Sequence, residues 1–254
     1  GSDVASIRTR AERVPGGWRI TGEKSSITSA PIAGAAVVMA KTDPAAGARG
    51  VSAFLVDLDD STVSRQSFRD PGFRSVGRGS LTFDGTFVPD AHLMGEEGRG
   101  FHGVMELFDL SRSIIGTLVV GGAQRALDLA ADHVRQREAF GQPLSRNQGV
   151  SFLIAEHTTR IDMLRVYSYH SLALRDRGVR NTTESASIKW LGPVTAMDAI
   201  RDTIVLHGHI GWSDEMPIQA IFRDVSAYLA ADGSPQIQKL LIARDVLGRE
   251  AVDG

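Results

Sequence analysis

The chain has 254 residues, 42% apolar and 23% charged, with no cysteine, a globular profile with material for one large or two ordinary domains. Disordered and collagenous chains and secreted disulfide scaffolds are excluded, and so are thiolate nucleophiles, cysteine zinc sites and iron–sulfur clusters, so any redox chemistry calls for a bound cofactor. With 28 Lys+Arg against 30 Asp+Glu, the balance is wrong for a nucleic-acid binder that works through a basic face.

In chain order, the first 95 or so residues read as strands, with candidates at Ala5 to Glu12, Trp18 to Thr21, Ala33 to Lys41, Val51 to Val56 and Leu81 to Val88. Pro15-Gly16-Gly17, Asp43-Pro44, Asp59-Asp60, Pro71-Gly72 and Pro89-Asp90 punctuate them as turns do. Gly95 to Gly100 reads as the hinge between halves. Beyond it the apolar period becomes helical: Leu107, Leu110, Ile114 and Leu118 recur at three- and four-residue steps, as do Ile154, Ile161 and Leu164. Helices are expected over about 101–137, 146–177, 183–206, 217–230 and 235–249. Pro193 should kink or split the third, and Ser234 with Pro235 starts the last as N-cap and N1. The expected class is α+β: an antiparallel, barrel-like β domain over 1–97 followed by a helical, four-helix-bundle-type domain over 98–254. No apolar run reaches bilayer-spanning length and no apolar leader opens the chain, which makes the cytoplasm the expected compartment.

The common chemical motifs are missing. There is no GxxxxGK[ST], and Gly95-Glu96-Glu97-Gly98-Arg99-Gly100 is only a weak imitation of a dinucleotide loop. His207-Gly208-His209 with Asp214 and Glu215 lacks the spacing of ligands on one helix face, so no metal site is expected. Ser111 lies in a helix with no nucleophile elbow. Arg135 and Arg137 at the end of a long helix are suited either to binding pyrophosphate as fork donors or to complementing the helix dipole as an exposed pair. Phe140 reads as a core residue or a cofactor shelf. Asp232 reads as a turn residue ahead of the Ser234 cap or as a functional carboxylate.

Several segments taken in order carry more. Arg137-Glu138-Ala139-Phe140-Gly141-Gln142-Pro143-Leu144, Phe222-Arg223-Asp224, Asp232-Gly233-Ser234-Pro235-Gln236 with the following IQKLLIAR, and GRGSLTFDGTFVPDAHLMGEEGRGF resemble the acyl-CoA dehydrogenase family of flavoproteins over nearly the whole chain. The resemblance implies FAD held by the β domain and the helical bundle across a subunit interface, in a homotetramer built as a dimer of dimers. It also implies an acyl-CoA or acyl-carrier-protein substrate and an electron-transfer flavoprotein or other acceptor. For the cofactor it implies contacts from Thr28, Arg137, Phe140, Gln148, Ser234 and Gln236, and from His207 and Gly208 in a loop that departs from the family's Q-x-x-G-G. Ser26 replaces the aromatic residue that usually covers the flavin ring. For the substrate it implies Ser2, Asp109 and Arg112, with Ala231 replacing a tyrosine and opening the pocket to a bulkier acyl group.

The catalytic base, usually a glutamate, matches Asp232, which would take the α-proton while hydride leaves the β-carbon for the flavin. Its side chain is shorter by about 1.5 Å. The alternative base position in the first long helix matches Ser111, which cannot serve. Nitroalkane oxidases resemble the family and use an aspartate there, so a flavin oxidase or monooxygenase is the enzyme alternative, and a non-catalytic assembly subunit or fragment is the other. The family's N-terminal helical domain is absent from this chain, whether truncated, supplied in trans or lost.

Overall fold

The computed structural model describes residue 3 and residues 6–253. These form two compact units divided between Leu107 and Phe108.

The first unit is a seven-stranded sheet of β1 (Arg10–Val14), β2 (Gly17–Thr28), β3 (Ala35–Lys41), β4 (Val51–Asp57), β5 (Val63–Ser67), β6 (Arg78–Pro89) and β7 (Leu93–Met94), in spatial order β5-β6-β2-β1-β3-β4-β7. Its pairs are antiparallel except for a single parallel contact between β1 and β3, Arg10 opposite Lys41, so the sheet is mixed. Alternation puts Trp18 and Ile20 of β2 and Leu81 and Phe83 of β6 on one face, the register shift at Ile20/Thr21 returns Val88 to it, and all bury with Val38, Phe54 and Val56. Burial of each large side chain there is worth about 1.5–3 kcal/mol, and Trp18 meets Phe54 edge to face at 5.5 Å.

Two strand expectations need correcting. β5 was not expected at all, because Val63-Ser-Arg-Gln-Ser carries one apolar residue; it forms by pairing along β6. β2 runs on to Thr28, well beyond Thr21, through register shifts at Ile20/Thr21 and Lys24/Ile27 that break the alternation. The first strand begins at Arg10, and the expected start at Ala5 lies outside the described residues.

The second unit is helical. The helices are α1 (Gly100–Gln136), whose first turns belong to the first unit, then α2 (Gln148–Asp176), α3 (Thr182–His207), α4 (Pro217–Ser226), α5 (Pro235–Leu247) and α6 (Arg249–Asp253), with a two-residue hairpin pair β8 (Glu138–Ala139) and β9 (Gln142–Pro143) between α1 and α2. Ile115, Val119, Ala123 and Leu127 of α1 pack with Ile161 and Leu164 of α2 and Ala196, Ala199 and Ile200 of α3. The close approach is set at Gly116, where an added Cβ would lie 2.1 Å from Ile188 Cγ2 and 2.6 Å from Ser168 Oγ. Pro193 does not split α3. The proline removes one backbone hydrogen bond, but Ala186, Ile188, Gly192, Pro193, Ala196 and Ala199 are all buried around it, and that packing holds the helix together. The fourth expected helix ends early, at Ser226, and continues as a 3-10 turn, Ala227–Leu229.

Candidate active site

After the 3-10 turn the chain reverses at Asp232 and Gly233, both with left-handed backbone, φ 53° and 98°. Glycine is required at the second position, since a Cβ there would also sit 2.4 Å from Gln238 Nε2, and aspartate is one of the few other residues that tolerate the first. Ser234 then caps α5, its Oγ accepting from Ile237 N at 3.4 Å, with Pro235 at N1. The run Asp-Gly-Ser-Pro therefore dictates a reversal that presents the Asp232 side chain to α1. Ser111 Oγ donates to Asp232 Oδ2 at 2.8 Å, and Gln238 Nε2 and Arg112 Nε donate to the Asp232 backbone carbonyl at 3.1 and 3.4 Å.

Two of these partners, Ser111 and Gln238, and a third residue that reaches the same turn, Lys189, carry no such signal in the sequence pattern around the turn. Ser111, which cannot act as a base, is placed instead as a donor to the Asp232 carboxylate. Gln238 is fully buried, whereas Gln236, singled out from the sequence, is exposed on α5. Lys189 of α3 is buried too, and its Nζ donates to the carbonyls of Tyr228 at 2.8 Å and Gly233 at 3.2 Å. Burial lowers its pKa to about 8, with Asp232 opposing that shift and Arg112 adding to it. The signal for Lys189 was available: it shares the helical face of Ser185, Ala196 and Thr203, all buried.

Of the residues matched to substrate contacts, Arg112 is buried and lies over the Phe108 ring at 5.3 Å. Burial pulls its guanidinium below its usual value against the opposing charges of Asp109 and Asp232. Asp109 accepts from Thr182 Oγ1 at 2.5 Å and from Ser185 Oγ at 3.4 Å, which ties α1 to α3. Ala231, next to the carboxylate, is exposed. Ser2 lies outside the described residues.

The cofactor candidates of the helical unit fall in two places. At the α1–α2 link, Leu144 N bonds Arg137 O at 2.9 Å and closes a hairpin whose tip, Phe140 and Gly141, has φ 55° and 78°. Phe140 is 100% exposed there, so it is not a core residue of this unit. Arg137 and Gln148 are exposed beside it in sequence, and Asn147 makes no side-chain cap bond at the start of α2. At the end of α3, His207 is buried, stacked on His133 at 4.3 Å, with its Nδ1 bonded to Thr203 O at 2.8 Å, while Gly208 is exposed with φ 64°. Burial, His207 and Arg137 lower the pKa of His133. In the sheet unit, Thr28 is exposed at the end of β2 and Ser26 accepts from Arg78 at 3.0 Å. A cleft of about 830 Å³ in that unit, lined by Arg10, Arg13, Trp18, Lys41 and Asp90, includes none of the residues singled out. No cluster of metal-ligating side chains occurs among the described residues.

An exposed aromatic ring, an exposed guanidinium and uncapped helix N–H groups suit a planar, phosphate-bearing group, so the residues present fit FAD. A half-buried carboxylate fixed by one hydroxyl and by its own backbone is suited to taking a proton.

Residues 98–247 match the family model described as acyl-CoA dehydrogenase, C-terminal domain, and residues 1–86 match that of the middle domain. An acyl-CoA dehydrogenase of Bacillus subtilis is 34% identical over 250 residues, 98% of this chain and 66% of that protein. The cyclohexane-1-carbonyl-CoA dehydrogenase of Geobacter metallireducens is 36% identical over 252 residues, 99% of this chain and 66% of that protein. The chain thus spans just under two thirds of the length of these relatives. Among solved structures, an acyl-CoA dehydrogenase from Geobacillus kaustophilus superposes with TM-score 0.94 at 30% identity, covering 97% of this chain and 65% of that one. A glutaryl-coenzyme A dehydrogenase in complex with glutaryl-CoA gives 0.95 at 29% identity, covering 99% and 65%.

Proposed function

Because this chain belongs to the acyl-CoA dehydrogenase family, we propose that it carries the base and much of the cofactor site of an FAD-dependent enzyme that forms an α,β double bond in an acyl thioester of CoA or a carrier protein. The observation that carries this reading is Asp232, a carboxylate held on a left-handed turn by Ser111, with its backbone fixed by Gln238 and Arg112. Asp232 accepts the α-proton of the thioester, the C–H electron pair becomes the new C=C bond, and hydride departs from the β-carbon. FAD, when bound, supplies the acceptor of that hydride. The Asp232 backbone N–H donates to the thioester carbonyl, where negative charge builds as the α-proton leaves. Thr28, Arg137, Phe140, Gln148, Gly208, Ser234 and Gln236 hold the cofactor; Arg137 supplies charge-assisted bonds and Phe140 a stacking face.

The substrate class we infer is a branched or cyclic acyl group. Ala231 leaves room beside the base, and the Geobacter relative is named for a cyclic acyl thioester. Phe140, fully exposed at its hairpin tip, supports a homotetramer in which that ring meets a cofactor shared between subunits. An electron-transfer flavoprotein is the proposed acceptor. No helix among the described residues is long and apolar enough to cross a membrane, in keeping with the proposed cytoplasmic setting.

In the full-length protein, Asp232→Asn should retain flavin yet lose anaerobic bleaching by an acyl-CoA panel by about 10²–10⁴-fold. Asp232→Glu should slow turnover on bulky acyl groups by overreaching them. Bleaching of Asp232→Asn at the wild-type rate would end the reading. A second reading, nitroalkane oxidation, is favoured by the aspartate itself and would show as peroxide formed from nitroalkanes in air with no bleaching by thioesters.

A further inference from the structure

We propose that Lys189 is a positioning residue of this site: its buried ammonium ties the two ends of the turn that carries Asp232 and so fixes where that carboxylate projects. Resting on the reading of Asp232 as base, the inference adds a residue from a helix that the chemistry does not otherwise use.

A buried ammonium is costly unless its donors and its charge are answered, and a leucine or methionine would fill the same space without that cost. Here both are answered by a single segment. Nζ donates to Tyr228 O, four residues before Asp232, and to Gly233 O, immediately after it. The two bonds draw the 3-10 turn and the left-handed reversal onto α3, which fixes where residue 232 projects. The other groups around the ammonium leave Asp232 as its countercharge. Arg112 of α1 is a second cation, itself committed to the Asp232 carbonyl and to Asp109. The Tyr228 phenol is pushed upward by burial, Asp232 and Asp224, and stays neutral. Lys239 of α5 is turned to the Trp190 ring, 4.5 Å away. The polar residues that α2 buries are Ser168, Ser171 and His157, the last paired with Asp202 at 2.8 Å.

The test uses the full-length flavin-loaded protein with Lys189→Met, which removes charge and donors at similar volume, and Lys189→Gln, which keeps an amide donor but no charge. Amide exchange of residues 228–234, read by mass spectrometry, should quicken at least about tenfold in Lys189→Met with the core helices unchanged. Flavin content and thioester dissociation constant should hold, while the rate of flavin reduction at saturating thioester falls about 10- to 100-fold at neutral pH, the scale of a misplacement of about 1 Å. Should Lys189→Met fail to fold, Lys189→Gln, whose shorter amide cannot span both carbonyls, gives the same readings in smaller measure. Wild-type exchange in residues 228–234, or an unchanged rate of flavin reduction at saturating thioester, would overturn the proposal and leave Lys189 a packing residue. If no thioester bleaches the wild-type flavin, or Asp232→Asn bleaches equally fast, it is the assignment of the base that fails, and the exchange data still judge the clamp.

Discussion

Removing the Ser111 hydroxyl tests whether the contact seen from α1 tunes the carboxylate or merely lies beside it. Ser111→Ala deletes a donor 2.8 Å from Asp232 Oδ2 and leaves the rest of α1 intact. A hydrogen bond to a charged group is worth about 1.5–3 kcal/mol, and the half-exposed setting of Asp232 reduces that to roughly 1–2 kcal/mol. At 1.36 kcal/mol per tenfold this is a rate loss of about 5- to 30-fold where the bond holds the carboxylate in its productive orientation. The assay is anaerobic stopped-flow flavin reduction by the best thioester, with rate at saturation and thioester dissociation constant read from the same titration. The variant should lose about tenfold in rate, with flavin content and dissociation constant unchanged. Ser111→Thr, which keeps a hydroxyl, should follow wild type. An Ala variant that reduces its flavin at the wild-type rate would refute the reasoning.

Arg137→Ala should lower flavin occupancy of the purified full-length protein, since it removes charge-assisted bonds of about 1.5–3 kcal/mol; an unchanged absorbance ratio of flavin to protein counts against the cofactor assignment. Gly116→Ala should lower the urea midpoint, because overpacking against Ile188 and Ser168 costs about 1–3 kcal/mol and outweighs the gain of about 1 kcal/mol in helix propensity; a raised midpoint would show that the helices can part without strain.

The helices were legible wherever a long apolar period ran without interruption, as in α1 and α2, and so was the α5 cap, which depends on two adjacent residues, Ser234 and Pro235. β5 and the far half of β2 were not, because their pairing is set by a neighbouring strand and by bulges and not by their own alternation. The same division holds at the site. Asp232 and the turn residues that hold it are consecutive and could be read directly. Ser111 and Lys189 reach that turn from positions 121 and 44 residues away in the chain, a proximity that no local spacing encodes. Phe140 illustrates the converse: its motif was evident, but only the fold shows the ring standing wholly in the open.

The left-handed backbone of Asp232 sets chemistry against ease of folding at one position. A non-glycine residue held there carries conformational strain of about 1–3 kcal/mol, which glycine would relieve at once. On the role proposed for Asp232, selection for a working base keeps the carboxylate in place against that bias; in a duplicated copy freed from the reaction, the same bias would act alone and drift at this site would run toward glycine or asparagine. The identity of this one residue would then distinguish descendants that still oxidise a substrate from those that keep only the architecture, and the silent copies would be, at this turn, the better-folded proteins.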